Sequence, residues 1–192
     1  METISPTSKP RSYFAQIPFA DEKETLDSAN TMLLKAFGKP IDPVGTGIYL
    51  ISSNAGFYSS VAFWKEVLDK GPGLANPERF PWTLANAPCG AIARAFGIQG
   101  PNYTFNGSAI DLPVLLEQID FDLSQQLISC AWLVAIDFGA FSNESTSFAV
   151  LVLTDHAEVS WISNYVSSDE FGTGGLASEK LGNLLMCKSS RH

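Results

Sequence analysis

Apolar and polar positions divide the chain into short periodic segments. Residues 21–37 set Leu26, Ala29, Leu33 and Phe37 at helical spacing. Acids crowd the first turn and Gly38-Lys39-Pro40 follows, so a helix is predicted there. Residues 46–52 form an apolar run with Ile48, Leu50 and Ile51, the mark of a buried strand, and lead into the small-residue turn Ser53-Asn54-Ala55-Gly56. Residues 59–70 predict a helix with Val61, Trp64, Val67 and Leu68 on one side. A Gly/Pro loop over 71–81 and a short Ala- and Ile-rich helix over 86–96, closed by Gly97, come next.

Residues 101–105 read as a strand, followed by the sharp turn Asn106-Gly107-Ser108 and a helix over 111–123. Runs 130–138 and 148–153 are apolar enough for buried strands. Residues 159–166 alternate apolar and polar, as a half-exposed strand does. The glycines at 172–175 mark a flexible joint, and 176–187 a last helix. At the other end, 1–12 read as a disordered lead. Residues 13–19 could form a strand, a reading that Pro18 weakens. This order of elements predicts one α/β domain over 13–192. Its sheet starts parallel and ends with antiparallel neighbours, under a cover of helices.

Composition sharpens the picture. The chain is 45% hydrophobic and only 17% charged, which puts part of the apolar surplus on a partner surface. A net charge of −8 argues against nucleic acid and against an anionic membrane as partners. There is no apolar run of about 18 residues to span a bilayer, and the polar start does not read as a signal peptide. Three cysteines without metal-ligand spacing fit reduced thiols in a cytoplasmic protein, with no metal and no cofactor.

One stretch carries a family resemblance. Phe80-Pro81, Asn86-Ala87-Pro88 and the run Phe96-Gly97-Ile98-Gln99-Gly100-Pro101-Asn102-Tyr103-Thr104 resemble the segment of β-ketoacyl synthases that leads to their nucleophile. Thr46-Gly47-Ile48-Tyr49-Leu50, the strand from Ala131 on, and Val150-Leu151-Val152-Leu153 with His156-Ala157 fall in the family's order over residues 25–168. The resemblance implies a thiolase-like fold, of which this chain is similar to the N-terminal half. It also implies an acyl carrier protein as a possible partner. The family's opening strand has no clear counterpart unless 13–19 replaces it.

Ketosynthase chemistry needs a cysteine thiolate to accept the acyl chain. Counted from Gly100, the family pattern places that cysteine at Ala109, which has no nucleophile. The family's two further catalytic residues belong to its C-terminal half. Two substitutes are open. Ser108 lies in the same turn but needs a base, and a capping role suits it better, with Asp111 the stronger cap candidate. Cys89 lies near a helix start, where a thiol pKa can fall. Cys130 reads as core, and Cys187 as part of the last helix. His156 reads as a turn residue near a strand end.

The resemblance therefore implies a non-catalytic subunit similar to chain-length factors, working with an active β-ketoacyl-ACP synthase in fatty acid or polyketide biosynthesis, aryl polyenes included. The strand before the elbow, Pro101, Asn102, Tyr103, Thr104 and Phe105, would form the dimer interface. Phe105, Asn106, Gly107, Ser108 and Leu112 would line the acyl site. Two alternatives stand beside it: a homodimeric protein that binds acyl chains or a carrier protein, and an acyltransferase or decarboxylase with a displaced nucleophile.

Overall fold

The computed structural model describes residues 11–141, 145–167 and 175–189. Five strands form one sheet: β1 (Arg11–Pro18), β2 (Thr46–Ser52), β3 (Asn102–Asn106), β4 (Cys130–Phe141) and β5 (Ser145–Leu153), in the order β1-β5-β4-β2-β3. β2 runs parallel to both β3 and β4, whereas β5 is antiparallel to β4 and to β1. The predicted change from parallel to antiparallel pairing is therefore present.

Helices α1 (Glu22–Phe37) and α3 (Ala87–Phe96) cover one face of the sheet. Helices α4 (Leu112–Ser124), α5 (His156–Val166) and α6 (Ala177–Ser189) cover the other. Every residue of β2 is buried, which is why its sequence runs apolar instead of alternating. Along β4, Trp132, Val134 and Ile136 face α1 and α3, while Ala131, Leu133 and Ala135 face the other layer. Trp132 sits between the rings of Phe37 and Phe96, at centroid distances of 5.8 and 4.8 Å.

Several expectations are corrected. Residues 159–166 belong to α5 and not to a strand. Asp155 caps that helix by accepting from the Glu158 N–H at 2.8 Å, and Val159, Ile162 and Val166 are the buried apolar positions. Trp161 beside Ile162 breaks the two-residue alternation, so the period of the segment is helical. Among the described residues two strands, not three, therefore follow α4. Strand β1 begins at Arg11, inside the expected lead, and pairs with β5 from Arg11 opposite Val152 to Pro18 opposite Ser145. Pro18 is tolerated because it ends an edge strand. Part of the Gly/Pro loop is a 3-10 helix, Pro77–Thr83. Of the glycine-rich joint, only Gly175 is among the described residues.

Helix α2 (Phe57–Lys70) differs from the rest, because none of its residues is buried. Its first turn is held from outside. The fully buried Glu22 carboxylate accepts from the N–H of Gly56 at 3.1 Å, of Tyr58 at 2.9 Å, and from the Ser59 hydroxyl at 2.9 Å. A carboxylate at a helix start offsets the dipole of that helix. Burial still dominates its titration and pushes the Glu22 pKa above the usual carboxylate range, against those hydrogen bonds.

Candidate functional site, an elbow without a nucleophile

The C-terminal ends of the parallel strands β2, β3 and β4 lie along one edge of the sheet, where ligands of open α/β sheets commonly bind. Gly100 seats β3 there. Its N–H donates to Thr46 O at 3.1 Å, and a Cβ at this position would stand 2.3 Å from that same oxygen. Only glycine lets the two backbones approach so closely. Pro101 precedes the strand, and its carbonyl accepts from Ile48 N at 2.8 Å.

Among the described residues β3 is an edge strand, paired with β2 alone. Tyr103 and Phe105 are half-buried and pack against the α4 side of the core, while Asn102 and Asn106 are exposed. Tyr103 stacks on Tyr49 at 5.3 Å, and the Tyr49 hydroxyl donates to Asp122 of α4 at 2.5 Å. Burial and the adjacent Asp122 carboxylate push the Tyr49 pKa upward, so it stays a neutral donor.

Beyond β3 the chain turns sharply. Gly107 N–H donates to Ser52 O at 2.9 Å. Asp111 folds back so that its carboxylate accepts the Ser108 N–H at 2.9 Å, and a Cβ on Gly107 would lie 2.5 Å from that carboxylate. The cap expected of Asp111 thus points backward to the elbow; its side chain makes no cap bond to α4. A single 3-10 turn, Ala109–Asp111, then leads into α4. Ala109 is 1% exposed, and its N–H reaches Gly175 O at 3.4 Å, tying the elbow to the approach of α6. Leu112 is fully buried in the same core, whereas Phe105, Gly107 and Ser108 are only half-buried.

A second feature of this edge escaped the sequence reading. Asp137 of β4 is fully buried. One of its oxygens accepts from the N–H and hydroxyl of Ser53, at 3.1 and 2.6 Å, and the other from the N–H and hydroxyl of Ser178, at 3.2 and 2.6 Å. Asn54 adds a reciprocal pair with the backbone of Phe138. These bonds clamp the ends of β2 and β4 to α6. The signal was a lone charge inside the apolar run 130–138.

The candidate substitutes fare poorly as nucleophiles. Cys89 is fully buried and its thiol contacts the Tyr103 carbonyl at 3.6 Å; burial pushes its pKa up to about 12, the reverse of the lowering that a helix start suggested. Cys130 is half-buried at the opposite edge, also with a raised pKa, about 11, caused by burial. Ser108 takes the capping role, its side chain accepting from the backbone N–H of Asp111 in a reciprocal capping box, and no histidine contacts it among the described residues. His156 is not a turn residue but the first residue of α5, and its Nδ1 contacts Asp120. It follows the end of β5, which lies beside Ala131 at the start of β4, so it stands across the sheet from the elbow. Cys187 lies on α6.

Among the described residues, no group of three His, Cys, Asp or Glu could hold a metal, and no helix is long and apolar enough to cross a membrane. Three cavities, of about 420, 420 and 290 Å³, lie away from residues 101–112.

This layered α/β unit, with its parallel core, antiparallel flank and turn-to-helix elbow at the end of β3, is similar in fold to solved ketosynthase and chain-length-factor structures. No protein-family profile and no curated protein matches the chain. Solved structures do. "The ishigamide ketosynthase/chain length factor" superposes with a TM-score of 0.54 at 17% identity, over 65% of this chain and 40% of that one. "AntDE:AntF (apo): type II PKS acyl-carrier protein in complex with its ketosynthase bound to the hexaketide" gives 0.55 at 11%, over 75% and 46%. The chain thus spans less than half the length of either. Likeness at such identity establishes the fold; activity rests on the site.

Proposed function

We propose that this protein is a non-catalytic ketosynthase-like subunit that acts beside an active β-ketoacyl-ACP synthase in polyketide or fatty acid biosynthesis, aryl polyenes included. The observation that carries the reading is the burial of Ala109 at the elbow, the position to which the sequence resemblance assigns the ketosynthase cysteine; among the described residues Cys89 and His156 make their contacts elsewhere. A methyl group cannot form a thioester. The elbow is nevertheless built with care: Gly100, Gly107 and Asp111 hold its course. A shape kept without its chemistry suits a subunit whose contribution is surface and space.

The open edge of β3 supports the same reading. Its outer backbone groups, which pair with no strand among the described residues, are a template for a partner strand. Phe105, Asn106, Gly107 and Ser108, with Leu112 behind them, would then border an acyl site completed by the partner, and a carrier protein would deliver to that complex. Co-expression with the β-ketoacyl-ACP synthase of the same source tests this. A complex that survives gel filtration supports the proposal. Separate elution of the two chains, at concentrations where the synthase itself is active, contradicts it.

A further inference from the structure

We infer that the cavity beside Trp132 is a ligand site, and that it takes a small neutral amide with an apolar body. The cavity holds about 420 Å³, within the range of small-molecule sites. Thr46 and Cys130, the first residues of β2 and β4, line it, so it lies at the edge of the sheet away from the elbow. The inference is therefore independent of the synthase reading. Arg11, Val152 and Trp132 stand directly opposite one another across β1, β5 and β4, and all three line the cavity. Trp132 carries the argument. It is 1% exposed, and its indole N–H, a donor only, finds no acceptor among the described residues. A buried donor left unpaired is costly. Asn30, Glu66, Thr104 and Ser147 also hold a buried side-chain atom without a hydrogen-bond partner, but none of them lines any of the three cavities. Only at Trp132 does a missing acceptor coincide with room for a ligand.

The other polar groups of the wall select the ligand. Asp42 accepts from the Gly45 N–H at 2.9 Å and the Ser129 hydroxyl at 3.0 Å. Glu158 accepts from the N–H and hydroxyl of Thr154, at 2.6 and 3.2 Å. The Thr46 hydroxyl donates to Asp42 O at 2.6 Å. Arg11 lies over the Phe37 ring at 5.6 Å and reaches Phe37 O at 3.5 Å. One guanidinium against two carboxylates leaves the wall net negative, which disfavours a carboxylate or phosphate ligand. An alkylammonium has no acceptor to offer the indole. An amide answers both conditions. Its carbonyl oxygen accepts from Trp132, and its N–H can donate to Glu158, whose carboxylate oxygens accept further bonds. Apolar arms would rest on Val152, Pro40 and Ile41, the last of them fully exposed.

NMR of the purified full chain tests this through the indole N–H signals, that of Trp132 being the one lost in Trp132→Phe. N-butylbutanamide is the probe, with butanoate and butylammonium as charged comparators. The amide is expected to move the Trp132 indole proton downfield and saturably, with a dissociation constant of about 1 mM, reasonable for about ten heavy atoms. Either ion should bind at least about tenfold more weakly. Trp132→Phe keeps an aromatic ring between Phe37 and Phe96 but loses the donor. In that variant the backbone signals of Ser129 and Thr154 should report amide binding weakened about tenfold. Cys130→Phe fills the cavity from a half-buried position and should abolish binding; it serves alone if Trp132→Phe fails to fold. A Trp132 indole signal unmoved by about 20 mM amide overturns the inference and leaves that N–H to water. Equal binding of butanoate, or amide binding that both variants leave intact, overturns it as well.

Discussion

At the scale of single residues, the fold spends unusual care on two buried carboxylates. Glu22 satisfies the start of α2 from another helix, and Asp137 joins β2, β4 and α6. Glu22→Ala would leave several N–H groups without an acceptor and is expected to destabilise the protein by about 2–3 kcal/mol in urea titration. The pH dependence has a definite sign. The folded-state pKa of Glu22 is raised, so the native state holds its proton more tightly than the unfolded chain. Its contribution therefore favours folding at low pH and is lost as pH rises from about 4.5 through the raised value. Glu22→Gln should lack this component, which paired melts of both proteins across that range will show. Cys89 offers a second test. With its thiol pKa near 12 and no exposure, brief alkylation at pH 8 followed by peptide mapping should leave it unmodified until denaturant is added. Modification in the native state would reopen the displaced-nucleophile reading.

At the scale of elements, what was legible in the sequence and what was not have separate physical causes. Gly100-Pro101-Asn102 was legible because backbone contact forbids any side chain at Gly100. Gly100→Ala is therefore expected to cost at least about 2 kcal/mol, a penalty of strand displacement, visible as a lower midpoint in chemical denaturation. The buried strands β2 and β4 were legible because both faces are covered, leaving unbroken apolar runs. Helix α5 was misread because residues 159–161 imitate strand alternation. The decisive signal was Asp155 with Glu158 three residues on, a cap at the helix start. The elbow's position was legible, but its fastening was not. Bonds such as Gly107 to Ser52 and Asp137 to Ser178 join residues far apart in the chain, and no local pattern announces them. Helix α2 was legible from the spacing of Val61, Trp64, Val67 and Leu68, but not that none of its residues would be buried.

At the scale of the whole molecule, β1 forms one edge of the sheet and β3 the other among the described residues. Helix α6 lies close upon β1, where a Cβ on Gly182 would stand 2.4 Å from the ring of Phe14. β3 forms the other edge and leads directly into the elbow. The central claim is that this chain shapes a site without taking the acyl group itself. The most direct measurement is intact-mass spectrometry of both chains after the purified complex meets an acyl-loaded carrier protein. The expected result is an acyl adduct on the synthase alone, with this chain at its unmodified mass. A covalent adduct on this chain would contradict the account.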